Sequence, residues 1–585
     1  MIDEKYTWDF SDYFKSDKEW EKSLKEYKSK IMDMAHFSGQ LNDRNTIFLC
    51  FKKLEELTVM ADSLAVYASC LRDLDVTNSN RVSMINKIEN AITLHAEQTA
   101  FIEPEISALE DSFISKLIED DRFLPYKRLL EEILREKPHL LSKDQEKLIS
   151  GIMLFGDDFS TNHSNFDNGD LKFNKVKTKN GTNKELNHHL ASLYLKSPDR
   201  VLRENTFKEM QGAYGRYNNF LTSNYLAHVK KDTYFSKIRN FNSSLDKALF
   251  YENVPSVVYQ KLISNVENNL DVDQEYFNLK KKMLVLDKFA ISDVYYNPIK
   301  LTKKYNFEEA MDKVCDALKL LGNDYVEYIR FMQNNRRIDV FPLPNKRSGA
   351  YETMAPTKSP RVLTNFVGTF SDVSTLAHEL GHAMHSYYSD KYQTPTNSQY
   401  TIFLAEIAST VNETILSQYM IENTKSSKEK LYYVCEYLSE FHATVFRQTM
   451  FANFESMIHK KVEKGEDVST EILNNTYLSL AKKYFGKNVE VFEETKYEWS
   501  RIPHFFTSFY VYKYATGIIS AINIVEGLKS GKITVEDYKS FLSAGSSKSP
   551  CEILKMVKID LSTEEPYEVA FNYIKSLLKI FKENI

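Results

Sequence analysis

Residues 375–386 read Thr-Leu-Ala-His378-Glu379-Leu-Gly-His382-Ala-Met-His385-Ser and contain the pattern H-E-x-x-H. On an α-helix, residues four apart lie one turn apart on the same face. His378 and His382 therefore aim two imidazole nitrogens at one point, where a zinc ion accepts nitrogen donors at about 2.0–2.1 Å. Glu379 projects beside them, placed to take a proton from a water at that metal rather than to bind it. Two histidines and a glutamate in this apolar run would be costly to bury without a ligand. Ser371 or Asp372 is expected to cap the helix, and Val373, Leu376, Leu380 and Met384 form its apolar stripe.

A catalytic zinc ordinarily takes three protein ligands and keeps one position open. His385 lies about 10 Å along the helix axis from His378, so it cannot join the pair. The longer pattern H-E-x-x-H-x-x-G-x-x-H needs Gly at 385 and His at 388, where this chain has His385 and Tyr388. What remains is a glutamate from a following helix. In residues 399–419, Ile402, Ala405, Ala408, Val411 and Ile415 give a helical period that Glu406 interrupts. A carboxylate between Ala405 and Ile407 is expensive unless something cationic faces it. The small residues Ala405, Ala408 and Ser409 admit close approach to the motif helix. Glu413, seven residues on along the same face, can hold a ligating histidine by its second ring nitrogen.

With these residues and several other blocks, the chain resembles the thimet-type (M3) zinc metallopeptidases, in particular the oligoendopeptidase F branch. The blocks are His378-Glu-Leu-Gly-His382, Ala405-Glu-Ile-Ala-Ser-Thr-Val-Asn-Glu413, Lys346-Arg-Ser-Gly-Ala-Tyr351 and Asn365-Phe-Val-Gly-Thr369. Others are Tyr6-Thr-Trp-Asp-Phe-Ser-Asp12, residues 501–517 and Gly545-Ser-Ser-Lys-Ser-Pro550, so the resemblance runs nearly end to end. Residues 355–360 depart from the Gly/Ser-rich stretch common in the family, which bears on substrate preference.

The resemblance implies a mainly α fold, with two helical lobes enclosing a deep channel and a small β-element next to the zinc helix. It implies one Zn2+ per chain on His378, His382 and Glu406, with Glu379 as general base. It also implies a histidine and a tyrosine that bind the developing oxyanion. His504 is the matching histidine, and Tyr512 is the first match for the tyrosine, with Tyr510 second and Tyr514 third. At about 100° per residue, Tyr510 and Tyr514 share a helix face and Tyr512 points elsewhere. The implied activity is a zinc metalloendopeptidase that cuts internal bonds of short oligopeptides. Two readings compete with it: a related helical zinc carboxypeptidase, and a catalytically inactive peptide-binding homologue.

The whole chain bounds these expectations. At 585 residues it has room for several cores, and its 17 Gly and 14 Pro are under half the usual share, which favours long helices. A net charge of −5 gives no electrostatic reason to expect nucleic acid. Cys50, Cys70, Cys315, Cys435 and Cys551 are dispersed, with no C-x-x-C, and read as reduced thiols. No apolar run approaches about 18 residues, so no membrane span is expected. The acidic start Met-Ile-Asp-Glu-Lys predicts no signal peptide and, with the cysteines, a cytoplasmic setting. Oligomeric state is not readable.

In chain order, residues 1–190 predict an N-terminal helical lobe with a β-hairpin excursion near 171–186, turning at Asn180-Gly181. Residues 191–585 predict the catalytic domain. His188-His189 reads as surface. Residues 362–367 read as a strand whose free edge could pair with an extended peptide beside the metal.

Overall fold

Helix Phe370–Tyr392 carries the H-E-x-x-H pattern, and its start explains its position. Thr369 is the N-cap: its Oγ1 accepts the Asp372 N–H at 3.2 Å, while Asp372 Oδ2 accepts the Thr369 N–H at 2.7 Å. The cap thus falls two residues before Ser371, and Asp372 serves as its reciprocal partner in a capping box. Val373, Leu376, Leu380 and Met384 are all buried, as the apolar stripe requires. The structure, a computed structural model, describes residues 3–156 and 158–585, and helices dominate it.

The chain forms two units, each assembled from three separate stretches. The first runs through Pro138 and adds Lys303–Leu416 and Ile524–Lys558; the second comprises His139–Thr302, Ser417–Asn523 and Ile559–Ile585. Three helices, Asp17–Met32, Arg44–Leu74 and Ser79–Thr99, begin the first unit. Trp20, Leu24, Tyr27 and Ile31 repeat at helical spacing and enter one core with Phe51, Leu57 and Leu64. A three-stranded sheet stands beside the motif helix, with Arg361–Leu363 in the middle. That strand pairs parallel with Ile338–Asp339 and antiparallel with Tyr351–Thr353.

The expected strand at 362–367 is therefore not an edge. Arg361, Val362 and Leu363 are fully buried, and the Thr364 and Phe366 amides go to Asp339 and Val340 carbonyls. Residues 361–363 are paired on both sides, and the sheet edge preceding the motif helix is Tyr351–Thr353 instead.

The second unit is built on helices Arg200–Gly215, Asn218–Ile238, Arg447–Glu463 and Thr470–Phe485. Between Ser427–Phe441 and Arg447–Glu463 the backbone makes one π turn, His442–Phe446. Val176–Lys177 pairs antiparallel with Asn183–Lys184, with Asn180 and Gly181 in the connection. His188 and His189 open the short helix His188–Leu195, with His189 exposed. Among the described residues, no helix is long and apolar enough to cross a membrane, and all five cysteines are unbridged.

Candidate metal and oxyanion sites

The motif helix and helix Ile402–Asn423 touch at Gly381. A Cβ at Gly381 would lie 2.5 Å from Ser409 Cα and 2.8 Å from the Ala408 carbonyl oxygen, so only hydrogen fits there. Asn412 fastens the same contact, donating to the Ala377 carbonyl at 3.0 Å while its own oxygen accepts the Tyr325 hydroxyl at 3.0 Å. The pattern's glycine and the small face of the second helix thus bring Glu406 to the histidines.

His378 Nε2 and His382 Nε2 are 3.1 Å apart. Glu406 Oε2 lies 3.5 Å from the first and 3.9 Å from the second. Donors bound tetrahedrally to one zinc at its usual bond lengths are about 3.3 Å apart. The triangle is therefore the size one such ion needs, and it is the metal-sized group of His, Cys, Asp and Glu found among the described residues. Glu413 Oε2 accepts from His378 Nδ1 at 3.0 Å, and Ser374 donates to its other oxygen at 3.1 Å. Because a carboxylate only accepts, Nδ1 carries the hydrogen and Nε2 is left as a donor atom for a cation.

The electrostatics agree. Burial opposes charge on His378, but the hydrogen bond to Glu413 and the charges of Glu413, Glu379 and Glu406 raise it to about 9. Burial beside His378 pushes His382 down to about 3. Three carboxylates around two imidazoles favour one positive charge between them. The residues fit a divalent metal.

Glu379 is buried on this helix, and the backbone amide of Glu352 on the neighbouring strand favours its charged form. Burial is the main reason it is pushed up to about 7. His385 is turned away from the group, stacked at 3.6 Å on Tyr400. Sequence reasoning missed Glu352, whose buried carboxyl accepts from Ser386 at 3.3 Å and is pushed up to about 8 by burial. It also missed Ser374, Asn412 and the role of Gly381. The only signal for these was a polar or small residue on an apolar helix face.

The second group belongs to the other unit. Pro503–Phe506 is a short 3-10 turn, residues 507–511 follow as turn and irregular backbone, and a helix runs from Tyr512 to Ser530. The Tyr514 hydroxyl is 3.3 Å from His504 Nε2, and the Tyr510 ring lies parallel to the imidazole with centroids 6.0 Å apart. Tyr512 goes elsewhere. It is fully buried, with its ring 5.4 Å from that of Tyr259. The structure thus brings His504 together with Tyr510 and Tyr514, and not with Tyr512.

Comparison with known proteins agrees with this fold. The chain matches Peptidase family M3 over residues 193–573 and Oligopeptidase F over residues 105–173. It is 35% identical to Oligopeptidase PepF of Bacillus subtilis over 581 residues, 99% of this chain and 87% of that protein. It is 32% identical to an oligoendopeptidase F homolog of Borreliella burgdorferi over 590 residues, 100% of this chain and 98% of that one. A crystal structure from Chlamydophila abortus superposes with TM-score 0.95 at 33% identity, covering 100% of this chain and 99% of that one. Oligoendopeptidase-F from Enterococcus faecium superposes with TM-score 0.73 at 28% identity, covering 97% and 99%. The protein is a mainly helical metallopeptidase, a hydrolase of peptide bonds. The chain belongs to peptidase family M3.

Proposed function

We propose that this chain is a zinc-dependent endopeptidase that hydrolyses internal bonds of short oligopeptides in the cytoplasm. The observation that carries the reading is the triangle of His378 Nε2, His382 Nε2 and Glu406 Oε2, with edges of 3.1, 3.5 and 3.9 Å. Zinc held there would supply Lewis-acid polarisation of the peptide carbonyl and of a neighbouring water. Glu413 keeps His378 in the ligating tautomer.

Glu379 takes a proton from the attacking water as the water oxygen bonds to the carbonyl carbon. It then delivers that proton to the departing amine as the C–N bond breaks. His504, with Tyr514 or Tyr510, donates to the oxygen anion that exists only during this step. An extended peptide can add to the Tyr351–Thr353 edge, whose one partner in the sheet is Arg361–Leu363. The five unbridged cysteines favour a reducing compartment.

Incubation with a mixed peptide set, read by mass spectrometry, tests the cleavage mode. The expected products are internal fragments of short peptides, with a stably folded protein left intact. Stepwise release of single C-terminal residues would replace this reading with a carboxypeptidase, and binding without any product would make the chain a peptide-binding homologue.

A further inference from the structure

The turn joining His504 to Tyr510 has a backbone conformation that its own sequence disfavours. Phe509 has φ +58°, in the left-handed region where a bulky side chain is a genuine outlier. Such residues persist only where their surroundings over-determine them, and they gather at functional sites.

Here two helices do so. From Asn218–Ile238, Asp232 accepts the Ser508 hydroxyl, and His228 Nε2 is 2.9 Å from Ser508 Oγ. From Arg447–Glu463, Glu455 Oε1 accepts the Phe509 N–H at 2.8 Å. The His459 ring lies 4.6 Å from the Phe509 ring and 3.6 Å from Asp232. His228, Glu455 and His459 are all buried. A buried cluster of four ionisable groups is a poor source of stability, since apolar residues of the same volume do as well or better. What it does uniquely is fix the hydroxyl of one residue and the amide of the next.

We propose that this cluster is a positioning device: it sets the Ser508–Phe509 turn and so holds His504, Tyr510 and Tyr514 in their mutual arrangement. The inference rests on the oxyanion reading of His504 and its tyrosines. Glu455 is the key member because it alone takes the amide of the strained residue. Burial pushes its carboxyl up to about 8, so a glutamine there is close to a replica.

The test uses the zinc-loaded full chain and a short internally quenched peptide. Glu455→Met, which removes the acceptor, is expected to lower kcat by about 10-fold with KM within about 2-fold. Glu455→Gln keeps an oxygen for the Phe509 amide and is expected to recover most of that loss. Ser508→Ala removes one anchor with little change in volume and is expected to lower kcat by about 3-fold. It carries the test if Glu455→Met does not fold. In a His504→Ala/Tyr514→Phe background, Glu455→Met is expected to have almost no further effect, because residues acting through one another are not additive. A full 10-fold loss in that background would make the cluster merely structural. Wild-type kcat in both Glu455→Met and Ser508→Ala, with His504→Ala impaired, overturns the positioning role alone. Wild-type kcat in His504→Ala overturns the oxyanion reading beneath it.

Discussion

His378, His382 and Glu406 stand on two long helices whose backbones touch at Gly381, whereas His504 and Tyr510 stand on a short turn pinned from outside. In the first region, the 3.6-residue period places the side chains, and a neighbouring helix supplies the third donor at a contact that a small-residue face announces. In the second, the side-chain directions follow from one disfavoured φ at Phe509 and from hydrogen bonds to residues far away in sequence. Local geometry builds one site and tertiary packing builds the other.

Breaking the first region should cost most. Glu379→Gln is expected to retain metal and lower kcat by about 10²–10⁴ or more, the usual cost of losing a general base. Turnover above about a tenth of wild type would remove Glu379 from that role. In the second region, His504→Ala and Tyr514→Phe are each expected to lower kcat by about 10²–10³ with KM little changed. A drop for Tyr510→Phe in place of Tyr514→Phe would move the donor to the stacked ring.

Two variants probe how the helices hold the metal. Glu406→Gln is expected to weaken zinc binding by on the order of 10-fold or more, measured by competition with a chelating dye. Full retention there, with loss in Glu413→Gln, would exchange the roles of the two glutamates. Gly381→Ala pushes a methyl group against Ser409 Cα, and overpacking of this kind destabilises by about 1–3 kcal/mol. The expected result is a lower melting temperature together with weaker zinc binding; a lower melting temperature with unchanged zinc affinity would detach the helix contact from the site.

The smallest expected effect sharpens the contrast between regions. Tyr512→Phe removes a hydroxyl from a fully buried ring beside Tyr259, and kcat is expected to stay within about 2-fold of wild type. A loss comparable to that of His504→Ala would show that Tyr512 reaches the reaction after all.

The same contrast explains what could be read from the sequence. The motif helix, its apolar stripe and the approach of the Glu406 helix all follow from periodicity, and Gly381 lies inside the motif itself. The family resemblance points to Tyr512 first, but the helix begins only at that residue and carries its ring into the core beside Tyr259. The 100° arithmetic therefore does not reach Tyr510, whose direction is set by Phe509. Residues 362–367 show a strand-like composition, yet composition does not say which strands pair. Here partners on both sides, Ile338–Asp339 and Tyr351–Thr353, use up the edges. The cap moved to Thr369 because a capping box needs its acidic partner three residues on, and Asp372 stands there.

On the proposed function, His378, His382 and Glu406 hold one zinc ion on which peptide cleavage depends. The direct measurement is metal stoichiometry paired with cleavage in the same sample, before chelation, after chelation and after zinc is returned. One zinc per chain is expected, with cleavage lost on its removal and regained on its return, and neither recovered in His382→Ala. Cleavage that survives complete removal of metal, or full zinc content in His382→Ala, would contradict the account.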